Sequence, residues 1–197
     1  MEDLRQNSHG QQKEPFMEQV LSYQRFNKIL KYIKPNSKVL DIGCGFNAIL
    51  LTKIEHKILH GTGIDLEVNQ DIFSDKLTLA NYYLIDKLPF SDEVFDIVIS
   101  LANIEQLNNP HENIRDIYRV LKHNGYLLLT TPTTYAKPVL ETLCFFNLLS
   151  KQEIADHKNY FNKHILINYC RQSGFSTVNH RYFQLGMNNF LFAQKTM

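Results

Sequence analysis

The chain has 197 residues, 44% of them hydrophobic, a size and composition that suit one domain with a full core. Its 21 basic and 20 acidic residues leave a net charge of +1 with no dense basic block, so electrostatics make no case for nucleic acid as a partner. The three cysteines, Cys44, Cys144 and Cys170, lie far apart with no CxxC pairing, which speaks against a disulfide framework and for a reducing, cytoplasmic setting.

Residues 1–15, MEDLRQNSHGQQKEP, are polar and predict a disordered segment with no apolar stretch for a signal peptide. Residues 16–197 read as a single domain. Over Phe16 to Ile33, the apolar residues Val20, Leu21, Phe26, Ile29, Leu30 and Ile33 recur at close to helical spacing, and Pro35-Asn36 ends the run. A helix placed before the first strand is expected to cover the mouth of a site.

Val39-Leu40-Asp41-Ile42 has the apolar run of a buried parallel strand. Gly43 and Gly45 follow, and Ala48 to Leu59 predicts a helix. Gly61 to Asp65 reads as a second strand ending in an acid, Glu67 to Lys76 as a short helix or loop, and Leu77 to Asn81 as a third strand. Leu88 to Asp92 predicts a turn, and Phe95 to Leu101 is the clearest strand. Pro110 to Leu121 predicts a helix stopped by Asn124-Gly125, and Tyr126 to Thr131 a fifth strand. Ala136 to Leu149 and His164 to Ser173 predict two further helices. Phe175 to Phe183 and Asn188 to Ala193 then pair about a turn at Gly186. This alternation predicts an α/β fold: a Rossmann-like, doubly wound, mostly parallel sheet with a C-terminal antiparallel hairpin.

The run Gly43-Cys44-Gly45-Phe46-Asn47-Ala48 fits GxGxxA between a strand and a helix, and Asp65 ends the next strand about 20 residues on, where ribose hydroxyls would bond it. Glycine at these positions lets a ligand approach the backbone. Two ligand classes share this geometry. A nicotinamide dinucleotide needs a pyrophosphate cradle, whereas S-adenosylmethionine carries a sulfonium, an amine and a carboxylate. Asp41 would oppose a pyrophosphate and suit a cation, which favours the methyl donor, although the same carboxylate could bond the turn's own amides. A nicotinamide-dependent oxidoreductase and a non-catalytic nucleotide-binding module are the alternatives. Asn47, at the third motif position, is expected to tolerate a left-handed conformation. Cys44 is read as a small half-buried spacer.

The stretch KVLDIGCG, from Lys38, resembles the first motif of the class I S-adenosylmethionine-dependent methyltransferases. The resemblance continues through GTGIDLE, LPFSDEVFDIVISLANIEQL, RVLKHNGYLLLTTP and YFNKHILINYCRQSGF towards the C-terminus. It implies a small single-domain enzyme that moves a methyl group by direct displacement to a small-molecule, lipid or glycan-type acceptor. It further implies that Gly43 and Gly45 bed the methionine part, with Asp41 near its amino group and Asp65 on the ribose. Asn81 (or Asp86) and Tyr82 would flank the adenine, and the backbone of Leu101 would lie near the amino group. Asn103, Glu105, Gln106 and Tyr160 would line the acceptor pocket, built from the N-terminal helix, the 103–106 loop and the segment from Pro132 to Tyr160. Gln106 stands where the family commonly has His.

His157 could act as a general base or be an ordinary loop residue. No metal is expected: His56 and His60 share a helix face without a third ligand. The apolar run Val139 to Leu149 is too short to span a bilayer. It could face the core, a partner or a membrane.

Overall fold

The computed structural model of the protein describes residues 15–72, 74–83, 87–145 and 158–196. The expectations for the first 14 residues, for Asp86 and for His157 fall outside these residues, as does the end of the helix predicted to reach Leu149.

The strands are β1 (Lys38–Ile42), β2 (His60–Asp65), β3 (Leu77–Asn81), β4 (Phe95–Leu101), β5 (Leu121–Pro132), β6 (Thr177–Phe183) and β7 (Asn188–Gln194). The helices are α1 (Phe16–Leu30), α2 (Ile49–Ile54), α3 (Pro110–Val120), α4 (Ala136–Phe145) and α5 (Lys163–Gln172). The strands form one sheet in the order β3-β2-β1-β4-β5-β7-β6. β1 to β5 run parallel to one another, and β7 is antiparallel to both β5 and β6. From β1 the chain winds outward to β2 and β3, then returns to lay β4 on β1's other side. That reversal between β1 and β4 opens the crevice in which sheets of this kind bind ligands.

The sheet is covered on both faces, which is why its parallel strands carry nearly unbroken apolar runs. Along β1 the side chains alternate. Leu40 and Ile42 join Ile114 and Ile117 of α3 and Leu166 of α5 on one face. Val39 joins Leu50, Leu51 and Ile54 of α2, with Ile29 of α1, on the other. β4 does the same, with Val98 on the α3 face and Ile97 and Ile99 on the α1 face.

Three local expectations need correcting. α2 stops at Ile54 instead of Leu59. The backbone of the next residues is claimed elsewhere, with the Asn36 amide donating to the Lys57 carbonyl and the Leu59 amide donating to the Ser37 carbonyl. Asn124-Gly125 does not cap α3. The chain is already extended at Leu121, and the Val94 amide bonds the Val120 carbonyl. Asn124, at φ 61°, instead sits in a register shift of β5, which pairs Leu121 with Phe95 and then Tyr126 with Ile97. The left-handed residue near the glycine turn is Ala48, at φ 43°, and not Asn47, whose side-chain oxygen accepts a hydrogen bond from Asn69 at 3.3 Å.

Candidate active site

The turn after β1 is pinned from behind. The Gly43 and Cys44 amides both donate to the Ile64 carbonyl of β2, at 2.9 and 3.2 Å. Gly43 and Gly45 have φ of 75° and 76°, a region that side chains other than glycine's enter only with strain. A Cβ on Gly43 would also lie 2.8 Å from the Asn103 side chain. Cys44 packs towards Gly63, where an added Cβ would meet its sulfur at 2.9 Å. Burial, then the Asp41 and Asp65 charges, push its thiol far above the ordinary range, so Cys44 stays protonated and serves as packing.

Asp65 closes the turn. Its carboxylate accepts the Gly45 amide and the Leu66 amide, each at 2.8 Å. Asp41, 3% exposed, stands at the end of β1. Its pKa is pushed up to about 8, first by burial and then by the like charge of Asp65.

These residues face a narrow cleft of about 60 Å³, lined by Asp41, Gly43 and Cys44 from β1 and the turn, Leu101 to Asn103 and Gln106 from the end of β4, and Ser22, Arg25 and Phe26 from α1. Parallel pairing of β1 with β4 brings the two strand ends together, with Ile42 opposite Ser100. Ala102 turns the chain over the strand end at φ 51°, its amide held by the Thr130 carbonyl at 2.9 Å. The cleft thus gathers Asp41, Gly43, Leu101, Asn103 and Gln106, all named from the sequence.

Other predicted site residues lie elsewhere. Asn81 and Tyr82 lie at the Asp65 end, beyond the cleft. The Asn81 side-chain oxygen accepts the Val68 amide at 2.9 Å and so shapes the loop after β2. The Tyr82 amide bonds the Asp65 carbonyl and its hydroxyl donates to the Lys87 carbonyl, both at 2.6 Å. Glu105 is wholly buried and turned into the sheet end, where it accepts the Thr131 hydroxyl at 2.9 Å. Its carbonyl accepts the Lys158 and Asn159 amides, which ties down the segment leading to Tyr160. Tyr160 packs in an apolar cluster with Met17 and Leu21 of α1, Ala136, Leu140 and Leu143 of α4, and Met187.

The α1 contribution was missed at the residue level. Ser22, Phe26, Ile29 and Ile33 form one stripe at helical spacing, and Arg25 lies beside it. The signal was there: a serine and an arginine continue an otherwise apolar stripe that is buried at Ile29 and Ile33. Among the described residues, no group of three His, Cys, Asp or Glu side chains could hold a metal, and no helix is long and apolar enough to cross a membrane.

A sheet of this strand order with a glycine turn and paired acids at its switch point defines an α/β enzyme of the nucleoside-binding kind. Residues 14–180 match the family described as a methyltransferase domain. The chain belongs to that family, the class I S-adenosylmethionine-dependent methyltransferases, whose cofactor is S-adenosylmethionine.

Among its relatives is the ubiquinone/menaquinone biosynthesis C-methyltransferase UbiE of Ectopseudomonas mendocina. It is 29% identical over 131 residues, covering 60% of this chain and 50% of that one. An uncharacterized methyltransferase of Schizosaccharomyces pombe is 29% identical over 115 residues, covering 50% and 41%. The chain thus spans half or less of the length of these curated relatives. A solved Haloferax volcanii putative methyltransferase, in complex with the Trm112 methyltransferase activator, superposes with a TM-score of 0.70 at 14% identity, covering 89% of this chain and 88% of that one. This last likeness bears on the fold alone.

Proposed function

We propose that this protein transfers a methyl group from S-adenosylmethionine to a small apolar or amphiphilic acceptor, and that the cleft under α1 takes the amino-acid end of the donor. The observation that carries the reading is the buried Asp41 carboxylate facing the glycine turn. A buried acid beside a second acid suits a cation and would repel a pyrophosphate, which argues against a nicotinamide dinucleotide. The residues fit the cofactor: Gly43 lines the cleft without a side chain, Asp41 would take its amine, and Asp65 would take the ribose hydroxyls. Each Asp65 oxygen holds one backbone amide. Asn81 and Tyr82 would flank the adenine end. A cleft of about 60 Å³ has room for the amino-acid end only, so the nucleoside would lie outside it, along β2 and β3.

When bound, S-adenosylmethionine supplies a methyl group activated by its sulfonium charge and leaves as S-adenosylhomocysteine. The chain's contribution is then placement, and orientation alone can lower a barrier by roughly 7–11 kcal/mol. Gln106 and Asn103 offer neutral hydrogen-bonding groups at the cleft, and His157 is a candidate base on the segment before Tyr160.

For the acceptor, the apolar cluster of Met17, Leu21, Leu140, Leu143, Tyr160 and Met187 adjoins the cleft through α1 and supports an apolar wall. The quinone named for one relative agrees with such a wall. The test is incubation with methyl-labelled S-adenosylmethionine and a panel of quinol, sterol, amine and sugar acceptors. Label is expected in an apolar or amphiphilic product. Transfer confined to polar sugars or amines would overturn the acceptor class.

A further inference from the structure

The apolar cluster that joins α1, α4 and Met187 is rimmed by large apolar side chains left in water. Phe16, next to Met17, is 77% exposed, and Tyr135, next to Ala136, is 78% exposed. Leu185, two residues before Met187, is fully exposed. The exposure of Leu185 is built into the backbone. Gln184, Leu185 and Gly186 have φ of 51°, 56° and 85°, a left-handed run that leucine adopts only at a cost. The turn is tied down on two sides. The Gln184 side chain donates to the Leu21 carbonyl of α1 at 3.1 Å, and the Thr133 hydroxyl, before α4, donates to the Gly186 carbonyl at 3.0 Å.

Beside this rim lies a group of cations without acids. Lys28 Nζ stands over the Phe183 ring, 5.4 Å from its centroid. Arg181, exposed, lies two residues before Phe183 and so on the same side of edge strand β6. Lys31 follows at the end of α1. Burial, then the Lys31 and Arg181 charges, lower the Lys28 pKa, as neighbouring cations do when no acid intervenes. None of the three makes a hydrogen bond or ion pair with a described residue. Across α1, α4, β6 and β7 the described acids are Glu18, which is buried, and Glu141.

A nucleic acid would use the cations but not a fully exposed leucine. A second copy on a two-fold axis would bring these cations towards their own kind. A bilayer with anionic headgroups uses both features, taking the cations at the phosphates and the apolar side chains at the acyl boundary. We propose that the face formed by α1, α4 and the β6–β7 turn docks on an anionic phospholipid bilayer, with Leu185, Phe16 and Tyr135 entering the interface and Lys28, Lys31 and Arg181 on the headgroups.

Co-sedimentation of the full chain with vesicles tests this. One set is phosphatidylcholine alone, and the other is phosphatidylcholine with a quarter phosphatidylglycerol. The chain is expected to sediment with the anionic vesicles, to release as salt rises, and to stay in solution with the neutral ones. Lys28→Gln combined with Arg181→Gln should weaken binding by about tenfold or more, at roughly fivefold per cation. Leu185→Asn keeps a residue that tolerates the left-handed turn and should weaken binding by about fivefold or more. Thermal melts check that each variant is folded. Arg115→Gln combined with Arg171→Gln removes the same charge from α3 and α5 and should change binding by less than about twofold. Equal loss in that control, or equal binding to neutral vesicles, would overturn the proposal. So would no vesicle binding, whether the face instead takes a single-stranded RNA 20-mer that the Lys28 and Arg181 variant loses, or forms a dimer that Leu185→Asn abolishes.

Discussion

Two charged hollows of this molecule are built in opposite ways. The larger, about 820 Å³, lies beside α3 and is lined by Lys87, Asp92, Glu93, Asp116, Arg119 and Lys195 among others. Its half-buried Arg119 and buried Lys195 are satisfied within the fold. Arg119 donates to Asp116 at 2.6 Å, to Asp92 at 2.8 Å and to the carbonyls of Phe90 and Leu88 at 2.7 and 3.2 Å. Lys195 donates to the Leu121 carbonyl at 2.7 Å and to Glu93 at 3.2 Å. The cleft under α1 is far smaller, yet its acid Asp41 is buried beside Asp65 and receives no hydrogen bond from a described residue. Charges closed on one another hold a fold together. A buried acid set beside its like keeps its proton to higher pH, and a ligand of opposite sign favours its ionised form.

The contrast can be broken by substitution, and the largest expected effect is at the turn. Gly43→Val forces a β-branched residue to φ 75° and drives a Cβ against Asn103. Titration calorimetry is expected to show S-adenosylhomocysteine binding lost. Binding at wild-type strength would mean that the ligand lies elsewhere.

Arg119→Ala works on the other hollow. It leaves Asp116, whose side chain is 12% exposed, without its cation, and should cost about 1–3 kcal/mol in denaturant unfolding, the cost of leaving a charged hydrogen-bonding group without its partner. Cofactor affinity should stay within about twofold at a temperature where the variant is folded. A loss of affinity without a loss of stability would reverse the roles given to the two regions.

Asp65→Ala removes the carboxylate proposed to accept the ribose hydroxyls, each such charge-assisted bond being worth about 1.5–3 kcal/mol. S-adenosylhomocysteine should bind at least about tenfold more weakly, with a modest loss of stability because the Gly45 amide also loses its partner.

The smallest expected effect is on the pH dependence of stability. The native pKa of Asp41 lies above the ordinary Asp value of 3.8, at about 8. Between those values the native state holds a proton that the unfolded chain has released, so this residue lowers stability as pH rises through the window. Asp41→Asn carries no such proton. It should gain stability over the wild type as pH rises from 5 towards 8, as read by thermal melts, while losing cofactor affinity. A stability difference that does not change with pH would remove the buried-acid argument.

The sheet was legible because parallel strands covered on both faces must be apolar throughout, and Val39 to Ile42 and Phe95 to Leu101 are. The glycine turn was legible because a strand, two glycines and an acid at the next strand end constrain one another. Local signals misled where tertiary contacts decided. Asn124-Gly125 resembles a helix cap, but Val120 was already claimed by Val94. Asn47 resembles the left-handed residue, yet Ala48 takes that conformation at the start of α2. Arg25 lies 16 positions before Asp41 in the chain, and no local pattern pairs them. Only the packing of α1 over β1 and β4 does.

On the proposed function, the cleft under α1 takes a cationic amino-acid end and not a pyrophosphate. The most direct measurement titrates the wild-type chain in turn with S-adenosylhomocysteine and with NAD, and repeats both titrations on Gly43→Val. The account predicts saturable binding of S-adenosylhomocysteine at one site, no measurable heat from NAD, and loss of the first in the variant. Saturable binding of NAD by the wild type, with none of S-adenosylhomocysteine, would contradict it.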